Sequence, residues 1–434
     1  MRILIVSTFF PPLNSIASLR PYSWAKQWAK AGHDITVLTT EKWPQPSDSP
    51  LPISGLRIIT LPIPGAAFVL RILGMKSKDE VASPPSALLA VGGASRPPNA
   101  LYRWLDGLRR RYGFAYMCRM PDYHDLWAWR AYSAVASQNW DTVVSCAGPY
   151  SVHWIGYRLR HDGKSKRWIA DWRDLWTDNH IFPGLPGLRW LERRIEQRFC
   201  VTADRLTTVS PYLADTLHAK YGDKVSVVYN GFDPDDLSSL PAKSVFPADH
   251  VFRIVHTGTI YQGCQDPAPL FRAVQHLHLR GVLAPHRLEL IFAGSRGDPR
   301  QLARTLGVED YVRYLGFLPR PEALRLQRDA DALLFLEFES GSNKGILTGK
   351  IFEYLYAGPP IIAVGTPAEA TDLIVTTGRG WSLGQDVAAI ARWLEAALAR
   401  QLPPLRTATQ SLATYTRQNQ AQKLLALIES TNLR

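Results

Sequence analysis

The chain has 434 residues, which exceeds the size of a single compact core and predicts two domains. Hydrophobic residues make up 46% and charged residues 20% of the sequence, a composition that excludes a disordered chain. Lysine and arginine outnumber aspartate and glutamate by 50 to 38, and the net charge of +12 favours an anionic partner such as nucleotide phosphates, a membrane surface or nucleic acid. A generally basic composition would give the same value.

The four cysteines are scattered, which predicts a reducing, cytoplasmic location. Cys118, Cys146, Cys200 and Cys264 form no CxxC pair, so the pattern favours neither a zinc site nor a disulfide framework. The first residues, "MRILIVSTFFPPL", are broken by two prolines and are typical of a buried strand rather than a signal peptide. No segment has the ~18 uninterrupted apolar residues of a membrane span. We expect a soluble protein, with peripheral membrane contact left open.

Apolar runs alternate with helix-length segments in the first half of the chain, which is typical of a parallel sheet covered by helices. The helix between the first two strands, at about 18–31, is predicted to end at Gly32, because glycine suits the left-handed turn after a helix. The predicted strands are 2–8, 34–40, 56–63, 141–146, 167–171, 205–210 and 224–230.

Turn-forming residues and prolines interrupt this rhythm at 230–250, and a second series of strands follows. We therefore predict one Rossmann-like domain at 1–230 and a second at 231–407. The last helical pattern, about 408–434, could pack back onto the first domain. The strands predicted for the second domain are 252–258, 287–294, 311–317, 332–338 and 360–365.

Residues 64–120 break the alternating pattern and predict an irregular insertion, which usually marks a functional loop or a flexible segment. Its later part interleaves arginines with aromatic residues, which suits a membrane interface or an anionic lipid carrier. The same pattern also suits an ordinary solvated helix. The residues are Arg103, Arg109, Arg110 and Arg111 among Tyr102, Trp104, Leu108, Tyr112 and Phe114.

Two Rossmann-like units make a nicotinamide-dependent enzyme worth testing. The loop after the first strand, "TFFPPLNSIASLRP", contains no GxGxxG, and Glu41 is the only acidic candidate for a ribose contact after the second strand. No GxxxxGK[ST] is present either. The sequence therefore disfavours a dinucleotide site and a P-loop nucleotide triphosphatase.

The stretch "SGSNKGILTGKIFEYLYAGPPIIAV", at 340–364, places a glycine-rich loop, a lysine and a glutamate at the start of a predicted helix. A helix that begins near Thr348 would present free backbone N–H groups and a positive dipole end to a diphosphate. Lys350 would add a charge for phosphate oxygens, and Glu353, on the same face, could accept both hydroxyls of a ribose. A weak surface Lys–Glu pair is the alternative.

This stretch resembles the donor-nucleotide motif of the retaining, GT-B-fold glycosyltransferases of the large nucleotide-sugar glycosyltransferase family four. Four further segments resemble that family in the same order. Residues 11–40 resemble its first loop, helix and second strand, and "RWIADWRDLWTDN" (167–179) resembles the "DFRDPW" segment of its exopolysaccharide-type members. "VVYNGFDPDDL" (227–237) resembles its interdomain hinge, and residues 255–277 resemble its first C-terminal strand, glycine loop and helix. The resemblance implies an α/β GT-B fold, in which two Rossmann-like parallel-sheet domains face each other across a cleft.

The resemblance also implies donor-binding positions. Glu353 would bind the ribose, while Lys350 could neutralise phosphate charge. The other positions are the backbone of Gly345, Ile346, Leu347 and Thr348 for the donor phosphates; Gly258, Thr259, Tyr261 and Gly294 around the diphosphate loop; and Asn14 and Ser15 in the N-terminal loop that closes against the donor sugar.

Catalytic, acceptor-side candidates lie in the first domain. Asp171, Arg173 and Asp174 follow the end of a predicted strand, where polar groups of such sheets gather. Arg20 lies one helical turn into the first helix and could point into the cleft. An Asp–Arg–Asp cluster is also often only an ion network that stabilises a loop.

The sequence departs from the family pattern at two places. Gly345 stands where many members carry a second glutamate, eight residues before Glu353, and Glu339 could supply that carboxylate instead. Cys264 and Gln265 stand where many members carry a basic pair after the glycine loop. Lys350, Arg296 or Arg20 could compensate for that lost charge.

The resemblance implies a hexosyltransferase of polysaccharide biosynthesis that moves a hexose, with retention, from a nucleotide-diphosphate sugar to a glycan, lipid-linked or small-molecule acceptor. Helix N-termini and cations would stabilise the charge on the departing nucleoside diphosphate. The aspartates of "DPDDL" (233–237) fall in the predicted hinge, so no metal and no cofactor is expected. A GT-B-fold nucleotide-sugar epimerase or a sugar-condensing synthase, and more remotely a basic nucleic-acid-binding protein, remain as alternatives. The expected location is the cytoplasm, with a place at the inner face of the membrane left open.

Overall fold

The structure, a computed structural model, describes residues 1–13, 15–42, 51–64, 100–115, 117–179, 182–339, 345–405 and 412–431. The chain divides into two compact units. Unit 1 comprises Met1–Tyr229 and Gln420–Arg434, and unit 2 comprises Asn230–Asn419. Each unit contains one parallel β-sheet with helices, so the predicted α/β fold class is confirmed.

Unit 1 contains a seven-stranded sheet whose neighbouring strands are all parallel, in the order β3-β2-β1-β4-β5-β6-β7. All seven strands predicted for the first half of the chain are present. The strands are β1 Arg2–Val6, β2 Asp34–Thr40, β3 Arg57–Leu61, β4 Thr142–Cys146, β5 Trp168–Asp171, β6 Arg205–Thr208 and β7 Val225–Val227. The helices are α1 Ile16–Lys30, α2 Ala100–Tyr112, α3 His124–Val135, α4 Ser151–His161, α5 Arg189–Thr202 and α6 Pro211–Tyr221, with the last helix, α14 Arg417–Glu429, shared between the units.

The central strand β1 is buried on both faces, as a parallel sheet covered by helices requires. Leu4 and Val6 pack into the hydrophobic cluster on one face, while Ile3 and Ile5 pack into the cluster on the other, because successive side chains of a strand alternate. The second cluster includes Ala421, Leu424 and Ile428 of α14. The C-terminal helical segment therefore completes the core of unit 1.

Unit 2 contains a six-stranded parallel sheet in the order β10-β9-β8-β11-β12-β13. The sequence analysis missed the edge strand β13, because the glycine-flanked "GWSLG" lacks a continuous apolar run. The strands are β8 Phe252–Thr257, β9 Leu288–Ala293, β10 Val312–Gly316, β11 Ala332–Leu336, β12 Ile361–Val364 and β13 Gly380–Gly384. The helices are α7 Asp235–Ser238, α8 Ala268–Leu279, α9 Arg300–Thr305, α10 Arg320–Asp329, α11 Gly349–Ala357, α12 Glu369–Thr376 and α13 Val387–Leu398.

The insertion predicted at 64–120 is not irregular throughout, because its later part forms helix α2. Arg109 is buried and pairs with Asp106 at 2.5 Å, so one of the predicted basic residues faces the protein rather than a ligand. Residues 65–99 and 116 lie outside the described part. Among the described residues, no helix is both long and apolar enough to cross a lipid bilayer.

Candidate functional site

The predicted donor residues of unit 2 lie at the carboxyl edge of its sheet. The strand order reverses between β8 and β11, and ligands of open α/β sheets bind beside such a reversal. Gly258 follows β8, Gly294 follows β9, and helix α11 begins at Gly349 in the connection from β11 to β12. Segments far apart in sequence therefore meet at one edge.

Helix α11 begins where the sequence predicts, with Thr348 as its N-cap in an extended conformation. The Thr348 side chain makes no capping hydrogen bond, and among the described residues its buried Oγ1 has no hydrogen-bond partner. The first N–H groups of a helix lack intrahelical acceptors and favour an anion. Gly345 precedes this turn at a φ of +86°, where a glutamate would strain the backbone. The local fold therefore accounts for the missing glutamate.

Gly258 brings the loop after β8 against Lys350. Its φ is +101°, and a Cβ on Gly258 would lie 2.9 Å from Lys350 Cε. The Gly258 N–H donates to Ala293 O at 2.6 Å, and a Cβ on Gly294 would lie 2.2 Å from Gly258 O. The absence of both side chains lets the two loops and the lysine meet, so three predicted donor residues are brought together here.

Lys350 is a partly buried cation that faces an imidazole. Its Nζ lies 3.1 Å from Nε2 of His256, a residue of β8 that the sequence analysis did not select. Within the part of the chain that the structure describes, no carboxylate lies within 4.0 Å of this amine. Removal from water lowers the pKa of Lys350 to about 7, although the charge of Glu353 acts in the opposite direction. The site therefore holds a desolvated amine without a paired anion.

Glu353, the predicted ribose anchor, is oriented by Arg320 at the start of α10. Arg320 Nη2 donates to Glu353 Oε1 at 2.6 Å and to Asp236 Oδ2 at 2.8 Å. Arg417 Nη1 also donates to Asp236, at 3.0 Å. Arg320 lies 33 residues before Glu353 in a helix with no motif of its own, so no local sequence signal could have identified it. The network fixes one oxygen of Glu353 and leaves Oε2 without a hydrogen-bond partner among the described residues.

The predicted hinge motif supports the loop that leads into α11. The Asn230 side chain is buried and donates through Nδ2 to Leu347 O at 3.5 Å. The Phe232 ring stacks on Tyr356 of α11 with centroids 4.4 Å apart. Residues after the crossover from unit 1 thus pack against the helix that carries Lys350 and Glu353.

The remaining donor candidates differ in exposure. Tyr261 is 54% exposed and its ring lies 5.5 Å from the ring of Phe338. Thr259 Oγ1 lies 3.4 Å from Ser295 Oγ in the adjacent glycine loop. Leu347 is buried and Ile346 is partly buried, so this pair can offer a ligand its backbone more readily than its side chains.

The positions that depart from the family pattern have structural roles. Gln265 is buried, accepts from Tyr261 N at 3.2 Å and donates to Leu336 O at 2.6 Å. Cys264 O accepts a hydrogen bond from Glu339 N at 2.5 Å. Arg296 is exposed on the loop after β9, and its carbonyl accepts from Ile260 N at 3.2 Å. Arg296 thus contacts the glycine loop through its backbone, whereas Lys350 brings its side chain against Gly258 of that loop.

Glu339 lies beyond the end of β11. Its Oε2 accepts from Thr366 Oγ1 at 3.1 Å and from Gln385 Nε2. Its Oε1 is buried and has no hydrogen-bond partner among the described residues. A Cβ on Gly365 would lie 2.8 Å from this Oε1. The carboxylate is thus anchored at one oxygen only.

In unit 1, Arg20 and Asp171 form a buried bidentate ion pair. Arg20 Nη2 and Nε lie 2.7 and 3.0 Å from the two Asp171 oxygens, and both side chains are at most 1% exposed. Asp171 also accepts from Thr207 Oγ1 at 2.7 Å and from Cys146 Sγ at 3.0 Å. Burial acts to raise the pKa of Asp171, but the guanidinium outweighs it and the pKa is lowered.

This pair corrects the expectation that Arg20 points into a cleft. Arg20 Nη1 donates to Val228 O at 2.7 Å and to Tyr229 O at 3.0 Å, so the side chain ties α1 to the residues that follow β7. Arg20 and Asp171 are therefore positioning residues inside unit 1 in this structure.

Arg173 and Asp174 remain at the carboxyl edge of the unit 1 sheet. The Arg173 guanidinium lies 4.8 Å from the centre of the Phe9 ring, and a Cβ on Gly148 would lie 2.7 Å from Arg173 Nη2. Phe9 follows β1 and Gly148 follows β4, so Arg173 spans the point where the strand order reverses. The Asp174 side chain is 71% exposed, 3.5 Å from Arg173.

The N-terminal loop candidates have separate outcomes. Ser15 is the N-cap of α1 and accepts from Ser18 N at 3.2 Å through Oγ, a local role that also explains its residue type. Asn14 lies outside the described residues. The structure therefore places the candidates as two sets, one at the sheet edge of each unit.

A protein-family comparison matches part of the chain. Residues 88–236 match the family described as Glycosyltransferase Family 4. No curated protein sequence is significantly similar to this chain.

The fold is shared with solved structures of low sequence identity. A sucrose-phosphate synthase from Thermosynechococcus elongatus aligns with a TM-score of 0.54 and 15% identity, over 98% of this chain and 94% of that one. An alpha,alpha-trehalose-phosphate synthase (UDP-forming) from Burkholderia xenovorans, in complex with glucose-6-phosphate, aligns at 0.59 and 12% over 99% and 100%. A UDP-GlcNAc 2-epimerase from Neisseria meningitidis bound to UDP-GlcNAc aligns at 0.52 and 11% over 99% and 100%. These likenesses show the GT-B fold.

Proposed function

We propose that this chain is a glycosyltransferase of the GT-B fold that transfers a hexose from a nucleotide-diphosphate sugar to an acceptor, a proposal that its partial family match and its fold support. The observation that carries the proposal is the grouping of Gly258, Lys350 and Glu353 around the start of α11 at the sheet reversal of unit 2. The helix N-terminus and the amine suit a diphosphate, and a carboxylate one turn further suits the hydroxyls of a ribose.

The chemical requirement of this reaction is stabilisation of the departing nucleoside diphosphate. Negative charge develops on the phosphate oxygens as the bond to the sugar carbon breaks. Lys350 and the backbone N–H groups at the start of α11 would lie beside that charge in a partly desolvated site, where electrostatic interactions are stronger than in water. The transfer is proposed to need no metal, and retained activity in EDTA would support this, whereas restoration of activity by Mg²⁺ alone would oppose it.

The first test is a thermal-shift screen against UDP, GDP, ADP and TDP. Binding to the folded state raises the apparent stability by about 2.7 kcal/mol at a ligand concentration of 100 times Kd. We expect one of the four to raise the Tm. If none does so at millimolar concentration, the proposed function is wrong.

We further propose that the transfer retains the anomeric configuration. The proposed acceptor is a glycan, a lipid-linked acceptor or a small molecule of polysaccharide biosynthesis. Arg173 and Asp174, at the sheet edge of unit 1, are the proposed acceptor-side groups. Proton NMR of the first product formed would give the same anomeric configuration as the donor. An inverted product would rule out retention and leave the transferase proposal intact.

A nucleotide-sugar epimerase or sugar-condensing synthase is the second candidate, because the epimerase and the two synthases compared above share this fold. An epimerase would convert a nucleotide sugar without any acceptor. Incubation with the nucleotide sugar alone, followed by NMR of the sugar ring protons, separates the two activities.

Gly258 offers a test of the donor loop. Gly258→Ala is expected to weaken nucleoside diphosphate binding roughly tenfold, because the methyl group would displace Lys350 Cε and the backbone would be strained by about 1–2 kcal/mol. Gly263→Ala is the matched control, since its φ is +76° but no atom lies within 4 Å of the added Cβ. Equal Kd values for the two variants in calorimetry would contradict the contact.

We also propose peripheral membrane contact through α2 at the cytoplasmic face. Trp104 is 60% exposed, and Arg103, Arg110 and Arg111 are exposed on the same helix, an arrangement that suits anionic headgroups. Trp104→Ala is expected to reduce co-sedimentation with phosphatidylglycerol vesicles several-fold, while Leu279→Ala, at an even more exposed position of unit 2, should not. Equal binding by both variants, or binding of RNA instead of vesicles, would refute this contact.

A further inference from the structure

The hydrogen bonds of His256 define its tautomer. Its Nδ1 lies 3.0 Å from Leu334 O, an acceptor only, so Nδ1 carries the proton. Nε2 then has a lone pair and accepts from Lys350 Nζ at 3.1 Å. His256 is buried, and its burial and the nearby amine both lower its pKa well below the ordinary value. The imidazole is therefore a neutral, fixed acceptor for the lysine.

Among the described residues, no carboxylate lies within 4.0 Å of the Lys350 amine. The charged and titratable groups around it are His256 on β8, Glu353 on its own helix and, through Glu353, Arg320 on α10. Glu353 directs Oε1 to Arg320. Gly258 keeps the space beside Lys350 Cε free of a side chain, and it belongs to the loop that the proposed function assigns to the diphosphate.

We propose that His256 is a positioning residue that holds the Lys350 amine beside the glycine loop. When a nucleoside diphosphate binds, this amine takes up a proton. The inference rests on the proposed function, since it concerns the ligand of that same site. The imidazole Nε2 holds the amine in place before the anion arrives, and the anion then stabilises the ammonium form.

The pH dependence follows from the position of the amine. In the empty site the pKa of Lys350 is about 7, and a bound diphosphate must raise it because the opposite charge favours the ammonium. Below pH 7 the amine is already protonated and affinity is insensitive to this group. Above pH 7 binding takes up a proton, so affinity should fall by up to about tenfold per pH unit until the pKa of the complex is reached.

The test is isothermal titration calorimetry at pH 8 with whichever of UDP, GDP, ADP and TDP binds, in buffers of different ionisation enthalpy. The dependence of the apparent enthalpy on the buffer gives the number of protons taken up. We expect uptake of more than half a proton by the wild-type protein. Lys350→Arg should bind without that uptake, because a guanidinium stays charged, and titration of the ligand itself is common to both proteins.

His256 is tested by removing and then restoring the acceptor. His256→Leu should weaken nucleotide binding about tenfold, and His256→Gln, whose amide oxygen can accept from Lys350, should recover most of it. If His256→Leu fails to fold, the comparison of proton uptake between the wild-type and Lys350→Arg proteins still tests the proposal. Equal uptake by the wild-type and Lys350→Arg proteins, or wild-type affinity in His256→Leu, would overturn it. Absence of binding by all four nucleotides would overturn the proposed function as well, whereas binding without proton uptake would overturn this inference alone.

Discussion

Replacement of Arg20 with methionine is expected to destabilise unit 1 by about 3–5 kcal/mol. The substitution removes the guanidinium from a fully buried carboxylate and leaves Asp171 with Thr207 Oγ1 and Cys146 Sγ as its side-chain hydrogen-bond donors among the described residues. It also leaves the carbonyls of Val228 and Tyr229 without the Arg20 donor. Urea denaturation monitored by tryptophan fluorescence would measure the loss, because Trp24 lies against the Arg20 guanidinium.

Two further variants separate the charge from the packing. Arg20→Met combined with Asp171→Leu should recover much of the stability, since removal of both members of a buried pair costs far less than removal of one. Asp174→Asn, at an exposed carboxylate three residues beyond Asp171, should change stability by less than about 0.5 kcal/mol. A small effect of Arg20→Met alone would show that the pair is not buried in solution.

The pH dependence of this pair has a defined sign. Because the folded-state pKa of Asp171 is lowered, its contribution to stability is present above the ordinary aspartate pKa and is lost as pH falls through the folded value. On acidification, the unfolding free energy of the wild-type protein should therefore fall more than that of the doubly substituted protein. Because the loss occurs below the ordinary aspartate pKa of about 4, denaturation at pH 7 and at about pH 2.5 would measure this difference.

Glu353→Ala is expected to weaken nucleoside diphosphate binding about a hundredfold. A hydrogen bond from a ribose hydroxyl to a carboxylate contributes roughly 1.5–3 kcal/mol, and the loss of about 2.7 kcal/mol, within the range for one such bond, corresponds to that factor. Arg320 keeps Asp236 as a partner in the variant, so the fold of α10 and α11 should survive. Calorimetry of both proteins would measure the change in Kd.

Discrimination between ribose and deoxyribose sharpens this prediction. The wild-type protein should bind the ribonucleotide more tightly than its 2′-deoxy analogue, and Glu353→Ala should bind the two with similar, low affinity. Glu395→Ala is the matched control, since this glutamate of unit 2 pairs at the surface with Arg280. A hundredfold loss in Glu395→Ala as well would point to general destabilisation rather than to the ribose contact.

The sequence predicted the architecture well where physical signals are local. Buried parallel strands form continuous apolar runs, so every strand from β1 to β12 was anticipated, and the N-cap at Thr348 followed from a glycine-rich loop before an apolar helix. Strand β13 was missed because an edge strand with flanking glycines needs no such run. Helix α2 agrees with the solvated helix that was one of the two interpretations of the arginine-rich part of the insertion, within a stretch whose composition is otherwise rich in glycine and proline.

The candidate sites show the limit of local reasoning. The residue types of Arg20 and Asp171 suggested polar groups at a cleft, but sequence spacing does not report burial, and the two pair with each other across 151 residues. Arg320 and His256 were not selected because their importance comes from Glu353 and Lys350, which only the fold brings to them. Lys350 and Glu353 could be selected because they share one short motif.

A crystal structure of the protein with the nucleoside diphosphate that raises its Tm would test the central claim most directly. We expect ribose hydroxyls within hydrogen-bond distance of Glu353 Oε2, and diphosphate oxygens beside Lys350 Nζ, Gly258 and the first N–H groups of α11. A nucleotide bound elsewhere on the chain, with Glu353 and Lys350 both unoccupied, would contradict it.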